Sequence, residues 1–315
     1  MSAAVSSAVS AATAASSAAP GSPLGYGASI LLGLVQGLTE FLPISSSGHL
    51  VLAEELLHVD TPGILVEVAL HVGTLGAVFI YFRREIAALI AALPRTLSSL
   101  ARGRLPAGDA QARLILAIVI GTIPAALVAI VAKDAIEASF QSVRDTLIQL
   151  AITGVILQFS RINVARRRTT GLREGFIIGC AQAVAILPGI SRSATTISAG
   201  VFSGVDREEA ARFSMLLLIP AVLGAVVLSI PDLAEPVAGS AAAAAVAAAG
   251  GAPAATASES MGSAIGLPLL AGVIVSFLSG LFALRLLIAV ARRNRFDLFS
   301  WYLWAVAIVG FVLIR

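Results

Sequence analysis

Six long apolar runs dominate the hydrophobic pattern of this chain. Each run reaches or approaches the roughly 20 residues that a membrane-spanning helix needs. They cover residues 64–82, 114–132, 146–159, 213–230, 269–290 and 299–314. Polar positions inside the runs are few. The pattern therefore predicts six transmembrane helices.

Two further apolar segments, 28–57 and 174–204, are interrupted near their middle. Each consists of two helix-length pieces separated by a break that is rich in Pro and Ser. Backbone that leaves the helix at membrane depth must be buried in protein or line a wet cavity. We interpret both segments as re-entrant helix pairs; for either one alone, an ordinary span kinked at proline is the alternative.

The two interrupted segments are near copies of each other. At a constant offset of 146 residues, five positions of the first are repeated in the second, namely Gly33, Gln36, Ile44, Ser45 and Ser47 as Gly179, Gln182, Ile190, Ser191 and Ser193. The Leu-Pro pair of each break is also repeated, with a slip of one residue. The chain thus contains an internal repeat, and paired irregular segments in a membrane protein indicate its binding site.

Composition agrees with a membrane protein. Hydrophobic residues make up 58% of the chain and charged residues 12%, and the mean hydropathy is +0.95. Soluble domains have roughly 45–50% apolar and 25% charged residues, so a soluble fold is excluded. The high isoelectric point comes from arginines in the connections, and we expect membrane lipids rather than nucleic acid as partners.

The arginines also predict the topology. They cluster in the connections 83–113, 160–173 and 291–295, whereas 133–145 and 231–267 are balanced or acidic. By the positive-inside rule the arginine-rich connections are cytoplasmic. Each interrupted segment is then followed by three spans, and an odd number of spans inverts the second repeat relative to the first. The two breaks are therefore expected to meet near the midplane.

We predict an all-α integral membrane protein with an inverted-topology repeat. Residues 28–160 form the first repeat, 161–173 a basic cytoplasmic link and 174–315 the second repeat. Residues 1–27, which are rich in Ala and Ser, are predicted to be a disordered tail. Residues 236–264, rich in Ala and Gly, are predicted to be a flexible external loop.

The first break carries a concentrated set of polar groups. Gln36 and Glu40 are four residues apart and share one face of a helix. Hydroxyls, a flexible turn and an imidazole follow, from Ser45, Ser46, Ser47, Gly48 and His49. Together they supply an anionic oxygen, hydrogen-bond donors and a group that exchanges protons near neutral pH.

The second break contributes Arg192, which lies between Ser191 and Ser193 and shortly after Gly189. An arginine at membrane depth is costly and usually faces a cavity and an anion. Its planar fork suits phosphate oxygens, and the N–H groups at the start of the next helix add positive charge. The two breaks together indicate phosphoryl chemistry on a lipid-linked substrate.

Other interpretations remain open at this point. Inverted repeats with broken helices also build secondary transporters, and a flippase for the lipid phosphate is a further candidate. The alternative roles of Glu40 are an ion-transport site and a protonated residue that only packs. The alternative role of Arg192 is a structural ion pair with Glu40. His71, which shares a helix face with Glu67, is predicted to be structural.

The motifs resemble those of a known family. The stretch 36–49 is similar to the Glu/Gln-x-x-x-Glu motif and Ser-rich, His-ending turn of undecaprenyl-diphosphate phosphatases of the bacitracin-resistance type, and 188–193 is similar to their Pro-Gly-x-Ser-Arg-Ser motif. The resemblance implies a hydrolase of the bacterial cell membrane that recycles the lipid carrier for peptidoglycan synthesis. It also implies bacitracin resistance, a divalent metal and a site that opens to the outer face. Gln36 stands where many members have a second glutamate.

The resemblance assigns roles to these residues. Glu40, Ser46, His49 and Arg192 are the expected catalytic residues, and Mg²⁺ or Ca²⁺ is expected near Glu40 with Gln36 as a neutral ligand. The expected substrate contacts are Ser45, Ser47, Gly48, Gly189, Ser191 and Ser193. The nucleophile is Ser46 activated by His49, water with His49 as base, or His49 itself, and the sequence leaves all three open. It also leaves open the oligomeric state, for which a homodimer is one option.

Overall fold

The structure is a computed structural model that describes residues 25–57, 64–104, 108–140, 142–160, 169–234, 254–293 and 295–313. These residues form twelve helices. They are α1 (Tyr26–Phe41), α2 (Ser46–Leu57), α3 (Ile64–Tyr81), α4 (Arg83–Ala101), α5 (Ala110–Val131), α6 (Lys133–Phe140), α7 (Val143–Phe159), α8 (Leu172–Val184), α9 (Arg192–Phe202), α10 (Arg207–Ala234), α11 (Ala254–Arg293) and α12 (Asp297–Leu313).

Three of these helices are long and apolar enough to cross a membrane. They are α5, α10 over Arg207–Ser229 and α11 over Gly266–Arg293. Two shorter apolar helices, Val66–Tyr81 and Asp297–Leu313, correspond to further predicted spans. The all-helical, multi-pass character that the sequence predicts is therefore confirmed for the described residues.

Both interrupted segments contain the predicted sequence of helix, break and helix. The first break lies between α1 and α2, and the second between α8 and α9. Leu42 leaves the helical conformation at φ −65° and ψ 145°, as expected for a residue that precedes a proline. Ser45 at φ 71° and Gly189 at φ 94° turn the backbone through the left-handed region.

The two halves of the chain pack against each other reciprocally. Helix α1 packs on α11, and α8 packs on α5. Gly33 of α1 faces the backbone of Gly272, and its repeat counterpart Gly179 of α8 faces the backbone of Gly121. A methyl group at either repeated position would overlap the facing carbonyl. Small residues thus permit the close helix approach that is common in membranes.

Two further helix pairs join the halves. Helix α3 packs on α10, and α7 packs on α12. At the second contact Gly154 leaves room for Trp304, whose indole Nε1 donates a hydrogen bond to the carbonyl oxygen of Ala151 at 3.1 Å. The breaks lie beside a shared apolar core whose fully buried members include Phe41, Leu147, Leu150, Ile197, Met215 and Leu216.

Several predicted boundaries differ from those of the helices. Residues 254–264, assigned to the external loop 236–264, form the first turns of α11, because alanine favours a helix. Helix α1 begins at Tyr26, inside the predicted tail 1–27, and α8 begins at Leu172, inside the predicted link 161–173. Residues 1–24, 161–168 and 235–253 lie outside the described residues.

The arginine-rich connection 83–113 contains a helix that the hydropathy pattern did not predict. Helix α4 is charged on one side and apolar on the other. Arg95 of this helix binds Asp109, with 2.5 Å between Nε and Oδ2. Asp109 in turn caps α5 by accepting a hydrogen bond from the backbone N–H of Ala112. The hydrogen bond from Arg95 holds the pKa of Asp109 below its usual value.

Candidate active site

The two breaks are in direct contact. Ser193 of the second break donates a hydrogen bond from Oγ to the carbonyl oxygen of Leu42 in the first break, at 3.1 Å. Gly48 and Gly189 also face each other, and a Cβ placed on Gly48 would lie 3.0 Å from Cα of Gly189. The prediction that the breaks meet is confirmed. A side chain at Gly48 would press against Gly189, and one at Gly189 would overlap the carbonyl oxygen of Thr146 in α7.

The sequence repeat is matched by a repeat of hydrogen bonds. Ser45 Oγ accepts a bond from the backbone N–H of Gly48 at 3.3 Å, and Ser191 Oγ accepts one from that of Ala194 at 3.2 Å. These serines cap the helices that follow them, α2 and α9. Each also lies near the hydroxyl two residues later, which belongs to Ser47 in the first break and Ser193 in the second. Both helices therefore begin at the contact between the breaks.

Glu40 is the centre of the polar network. Its Oε1 accepts a hydrogen bond from Nη2 of Arg192 at 2.8 Å. Its Oε2 accepts one from the Ser46 hydroxyl at 2.5 Å and one from Nε2 of Gln36 at 3.1 Å. Nε2 of His71 lies 3.4 Å from the same Oε2. One buried carboxylate thus connects four of the polar groups that surround the breaks.

Arg192 and Glu40 form a buried ion pair across the two repeats. Their side chains are 14% and 6% exposed, respectively. Nη1 of Arg192 also donates to the carbonyl oxygen of Ser214 in α10, at 3.1 Å. Two fixed acceptors therefore hold the guanidinium plane. The structural pairing that the sequence left open is present, and it places a cation and a hydroxyl on the same carboxylate.

His49 makes different contacts from those expected. Its Nδ1 lies 2.7 Å from the carbonyl oxygen of Ser45, and its Nε2 lies 2.8 Å from the hydroxyl of Tyr302. The Ser46 hydroxyl instead faces Glu40. In the described part of the chain, Ser46 is thus paired with the carboxylate and not with the imidazole. The repeat counterpart of His49, Thr195, bonds the equivalent carbonyl of Ser191 at 2.8 Å.

Two residues near the site were not assigned to it from the sequence. His71, predicted to be structural, is held by the backbone carbonyl of Glu67 at 2.8 Å from Nδ1 and directs Nε2 at Glu40. The polar pair Glu67 and His71 inside an apolar span was the available signal. Tyr302 gave no signal, because only the packing of α12 brings it to a histidine 253 residues earlier.

The donor atoms near Glu40 are compatible with a hard divalent cation. In the part of the chain that the structure describes, Gln36 Oε1 is buried and has no hydrogen-bond partner, and it lies on the side chain that bonds Glu40. Among the described residues, no group of three or more His, Cys, Asp or Glu side chains is arranged to bind a metal. A site with so few protein oxygens suits Mg²⁺, which keeps water ligands and takes further oxygens from phosphates.

Only the first repeat carries the carboxylate. The counterpart of Gln36 is Gln182, which is 3% exposed and whose amide nitrogen and oxygen both lack partners in the described residues. The counterpart of Glu40 is Ile186. The internal repeat therefore forms one charged site and not two equivalent ones.

Comparison with known proteins gives consistent matches over nearly the whole chain. The family model described as "Bacitracin resistance protein BacA" matches residues 29–309. The undecaprenyl-diphosphatase of Syntrophotalea carbinolica is 39% identical over 284 residues, which are 88% of this chain and 94% of that protein. The undecaprenyl-diphosphatase of Desulforapulum autotrophicum is 34% identical over 290 residues, covering 90% and 96%. Undecaprenyl-diphosphatase 2 of Streptomyces coelicolor is 35% identical over 301 residues, covering 91% and 94%.

Proposed function

We propose that this chain, which belongs to the bacitracin resistance protein BacA family, hydrolyses undecaprenyl diphosphate to undecaprenyl phosphate and inorganic phosphate. The reaction cleaves a phosphoric anhydride and regenerates the lipid carrier that peptidoglycan synthesis uses. Resistance to bacitracin fits the family to which the chain belongs. The substrate is a lipid, in agreement with a multi-pass membrane protein.

The observation that carries the proposal is the convergence of Glu40, Ser46 and Arg192 where the two breaks meet. A diphosphate needs a cation for its oxygens, a nucleophile for its terminal phosphorus and a group that accepts the proton of the nucleophile. A purely structural ion pair would not require the hydroxyl. The position of Ser46 on the paired carboxylate therefore supports hydrolysis.

Two sets of donors are available to hold the diphosphate. Arg192 offers a guanidinium whose plane is fixed by Glu40 and by the Ser214 carbonyl. The first N–H groups of a helix have no partner within that helix and attract phosphate, and α2 and α9 both begin at this point. The turns that present these groups include the expected substrate contacts Ser45, Ser47, Gly48, Gly189, Ser191 and Ser193.

The contacts favour one of the three routes for the nucleophile. The 2.5 Å bond from Ser46 Oγ to Glu40 supports attack by Ser46, with Glu40 instead of His49 as the first acceptor of its proton. In that route the new Ser46 O–P bond forms as the bond to the bridging oxygen breaks, and undecaprenyl phosphate departs. Water then releases phosphate from the serine, with His49 as the base that accepts its proton. Attack by water, with His49 as base, and attack by His49 itself remain the competing routes.

A divalent cation completes the proposed site. The atoms that would hold Mg²⁺ or Ca²⁺ are the carboxylate of Glu40 and the unpaired Oε1 of Gln36. When bound, the cation would offset the negative charge on the diphosphate oxygens. Because Gln36 is neutral, the protein contributes one charged ligand, and affinity then depends on the oxygens of the substrate.

We also propose that the protein crosses the bacterial cell membrane six times as an inverted repeat, with its site open to the outer face. The reciprocal packing of α1 on α11 and α8 on α5 supports such an arrangement, since equivalent helices make equivalent contacts. The arginine clusters at 83–113 and 160–173 support a cytoplasmic position for those connections. An odd number of spans after each break then brings the breaks together from opposite sides.

Reconstitution separates this function from transport, which the same repeat architecture would also serve. Purified protein is placed in vesicles that contain undecaprenyl diphosphate, and both phosphate release and lipid translocation are followed. We expect phosphate release without net translocation. Translocation without phosphate release would show that the protein is a transporter and not an enzyme. Translocation together with phosphate release would indicate an enzyme that also flips its product. Ser203→Ala, at the far end of α9, serves as an active control.

A further inference from the structure

The imidazole of His49 is held by two fixed partners. On one side Nδ1 lies 2.7 Å from the carbonyl oxygen of Ser45, and on the other Nε2 lies 2.8 Å from the hydroxyl of Tyr302. A carbonyl oxygen only accepts hydrogen bonds, so Nδ1 carries a proton. In the neutral ring Nε2 is then the bare nitrogen, and it accepts a bond from Tyr302.

This tautomer determines which atom of His49 can react. Nδ1 is committed to the carbonyl of Ser45, a residue that the left-handed turn at φ 71° keeps in place. Any role of His49 as a base or as a nucleophile therefore uses Nε2. That is the atom against which the Tyr302 hydroxyl is placed.

Tyr302 reaches His49 from helix α12, and the residue is 44% exposed. Its ring lies parallel to that of His49, with 5.6 Å between centroids and 7° between planes, an arrangement that aromatic rings favour. Helix α12 packs on α7 through the bond from Trp304 to Ala151 and through the contact of Gly310 with Leu147. The hydroxyl thus approaches His49 from a helix that is positioned independently of the first break.

We propose that Tyr302 is a positioning residue for His49 in the hydrolysis of the diphosphate; the proposal rests on the function proposed above. A hydroxyl both donates and accepts. It donates to the single lone pair of Nε2 in the neutral ring. When His49 acts as a base, the hydroxyl passes its own proton to Nε2, takes the incoming proton in its place and then accepts a bond from Nε2–H. Tyr302 therefore keeps the imidazole in one orientation through both protonation states, which a carbonyl or an ammonium group would not do.

The kinetic test compares Tyr302→Phe with Tyr26→Phe in the full-length protein. The phenylalanine at position 302 retains the ring and its packing and loses only the hydroxyl. Tyr26 lies exposed at the start of α1 and provides the matched control. We expect kcat for undecaprenyl diphosphate to fall about five- to tenfold at position 302, the factor for one neutral hydrogen bond, with KM unchanged. An unchanged kcat, or a loss confined to KM, would overturn the proposal.

A double-mutant cycle distinguishes positioning from a separate effect on the fold. If Tyr302 acts through His49, then Tyr302→Phe causes no further loss of kcat in a His49→Ala background. Losses that multiply would show that the two residues act independently and would contradict the proposal.

Imidazole ¹⁵N spectra test the contact without reference to activity. We expect His49 to show the Nδ1-protonated tautomer, and Tyr302→Phe to shift the His49 Nε2 resonance while those of the other two histidines stay in place. A His49 resonance that does not respond to Tyr302→Phe would refute the contact. If the wild-type protein released no phosphate while the resonance did respond, the proposed function would be wrong and the contact would stand.

Discussion

Glu40 and Arg192 combine two roles that are usually assigned to separate residues. Their buried ion pair links the first break to the second, and the same carboxylate receives the Ser46 hydroxyl. Removing one partner of a buried pair leaves an unpaired charge, whereas removing both costs much less stability. Single substitutions that remove one of the two charges therefore affect folding and catalysis together. A substitution that keeps the charge, or a double substitution that removes both charges, separates the two effects.

The first prediction concerns the shape of the guanidinium. Arg192→Lys keeps the charge but loses the planar fork that fits phosphate oxygens in pairs. We expect the variant to fold and to lose phosphate release by about 10²-fold or more. Thermal unfolding in detergent checks the fold, and phosphate release from undecaprenyl diphosphate checks the activity.

The double variant Glu40→Gln with Arg192→Gln complements that test. Both buried charges are removed together, so we expect it to remain folded. It should be inactive, because the diphosphate and the cation have both lost a ligand. Strong phosphate release from the double variant would mean that the two residues only stabilise the fold.

The second prediction concerns His49. A base or nucleophile contributes typically 10²–10⁴-fold, so His49→Ala should lower turnover by about that factor while the protein stays folded. Activity close to wild type in a folded variant would leave Glu40 as the acceptor of the Ser46 proton and remove His49 from the mechanism.

Most of the polar residues that gather around Glu40 could be predicted from the sequence, since they lie in two short motifs. Gln36, Glu40 and Ser46 follow one another within the first interrupted segment, and local spacing alone brings them together. Tyr302 could not be predicted, because its contact with His49 depends on how α12 packs. The sequence also did not determine which side chains face Glu40. The Ser46 hydroxyl faces it because of the turn at Ser45, and the imidazole that faces it comes from His71 on α3.

At the scale of helices, the breaks were predictable and some helix ends were not. Pro43 and Pro188 interrupt apolar segments, and proline both lacks an N–H group and disfavours a helical residue before it. The start of α11 was missed because a run of alanine and glycine has little hydrophobic pattern. Alanine nevertheless favours a helix once neighbouring turns exist.

The third prediction concerns the repeated glycines. Gly33→Ala and Gly179→Ala each place a methyl group against the backbone of the facing helix, and such overpacking costs about 1–3 kcal/mol. We expect both variants to unfold at a lower temperature in detergent. Gly224→Ala is the matched control, since a Cβ there meets no atom of the described residues within 4 Å and alanine favours the helix by up to about 1 kcal/mol. Equal behaviour of the three variants would contradict close packing at the repeated positions.

For the whole molecule, hydropathy and charge predict more membrane crossings than the lengths of the helices support. Within the described ranges three helices are long and apolar enough to span a membrane, whereas the proposed inverted repeat needs six crossings. The difference arises because a short apolar helix crosses only where the bilayer is thin or the helix is scarcely tilted. Charge bias supplies a further constraint, since it predicts which connections share a side. The homodimer stays a prediction.

The last prediction concerns that orientation. Single cysteines are introduced in a Cys180→Ser background, because Cys180 is exposed. Thr169→Cys lies in the connection that follows the arginine cluster at 161–168, and Ala245→Cys lies in the stretch 231–267, which has no basic residue. Positive charge resists translocation, so an impermeant thiol reagent applied to intact cells should label position 245. It should label position 169 only after the membrane has been permeabilised. Labelling of position 169 alone would reverse the topology. The first break would then be entered from the cytoplasm, and the site could no longer be assigned to the outer face.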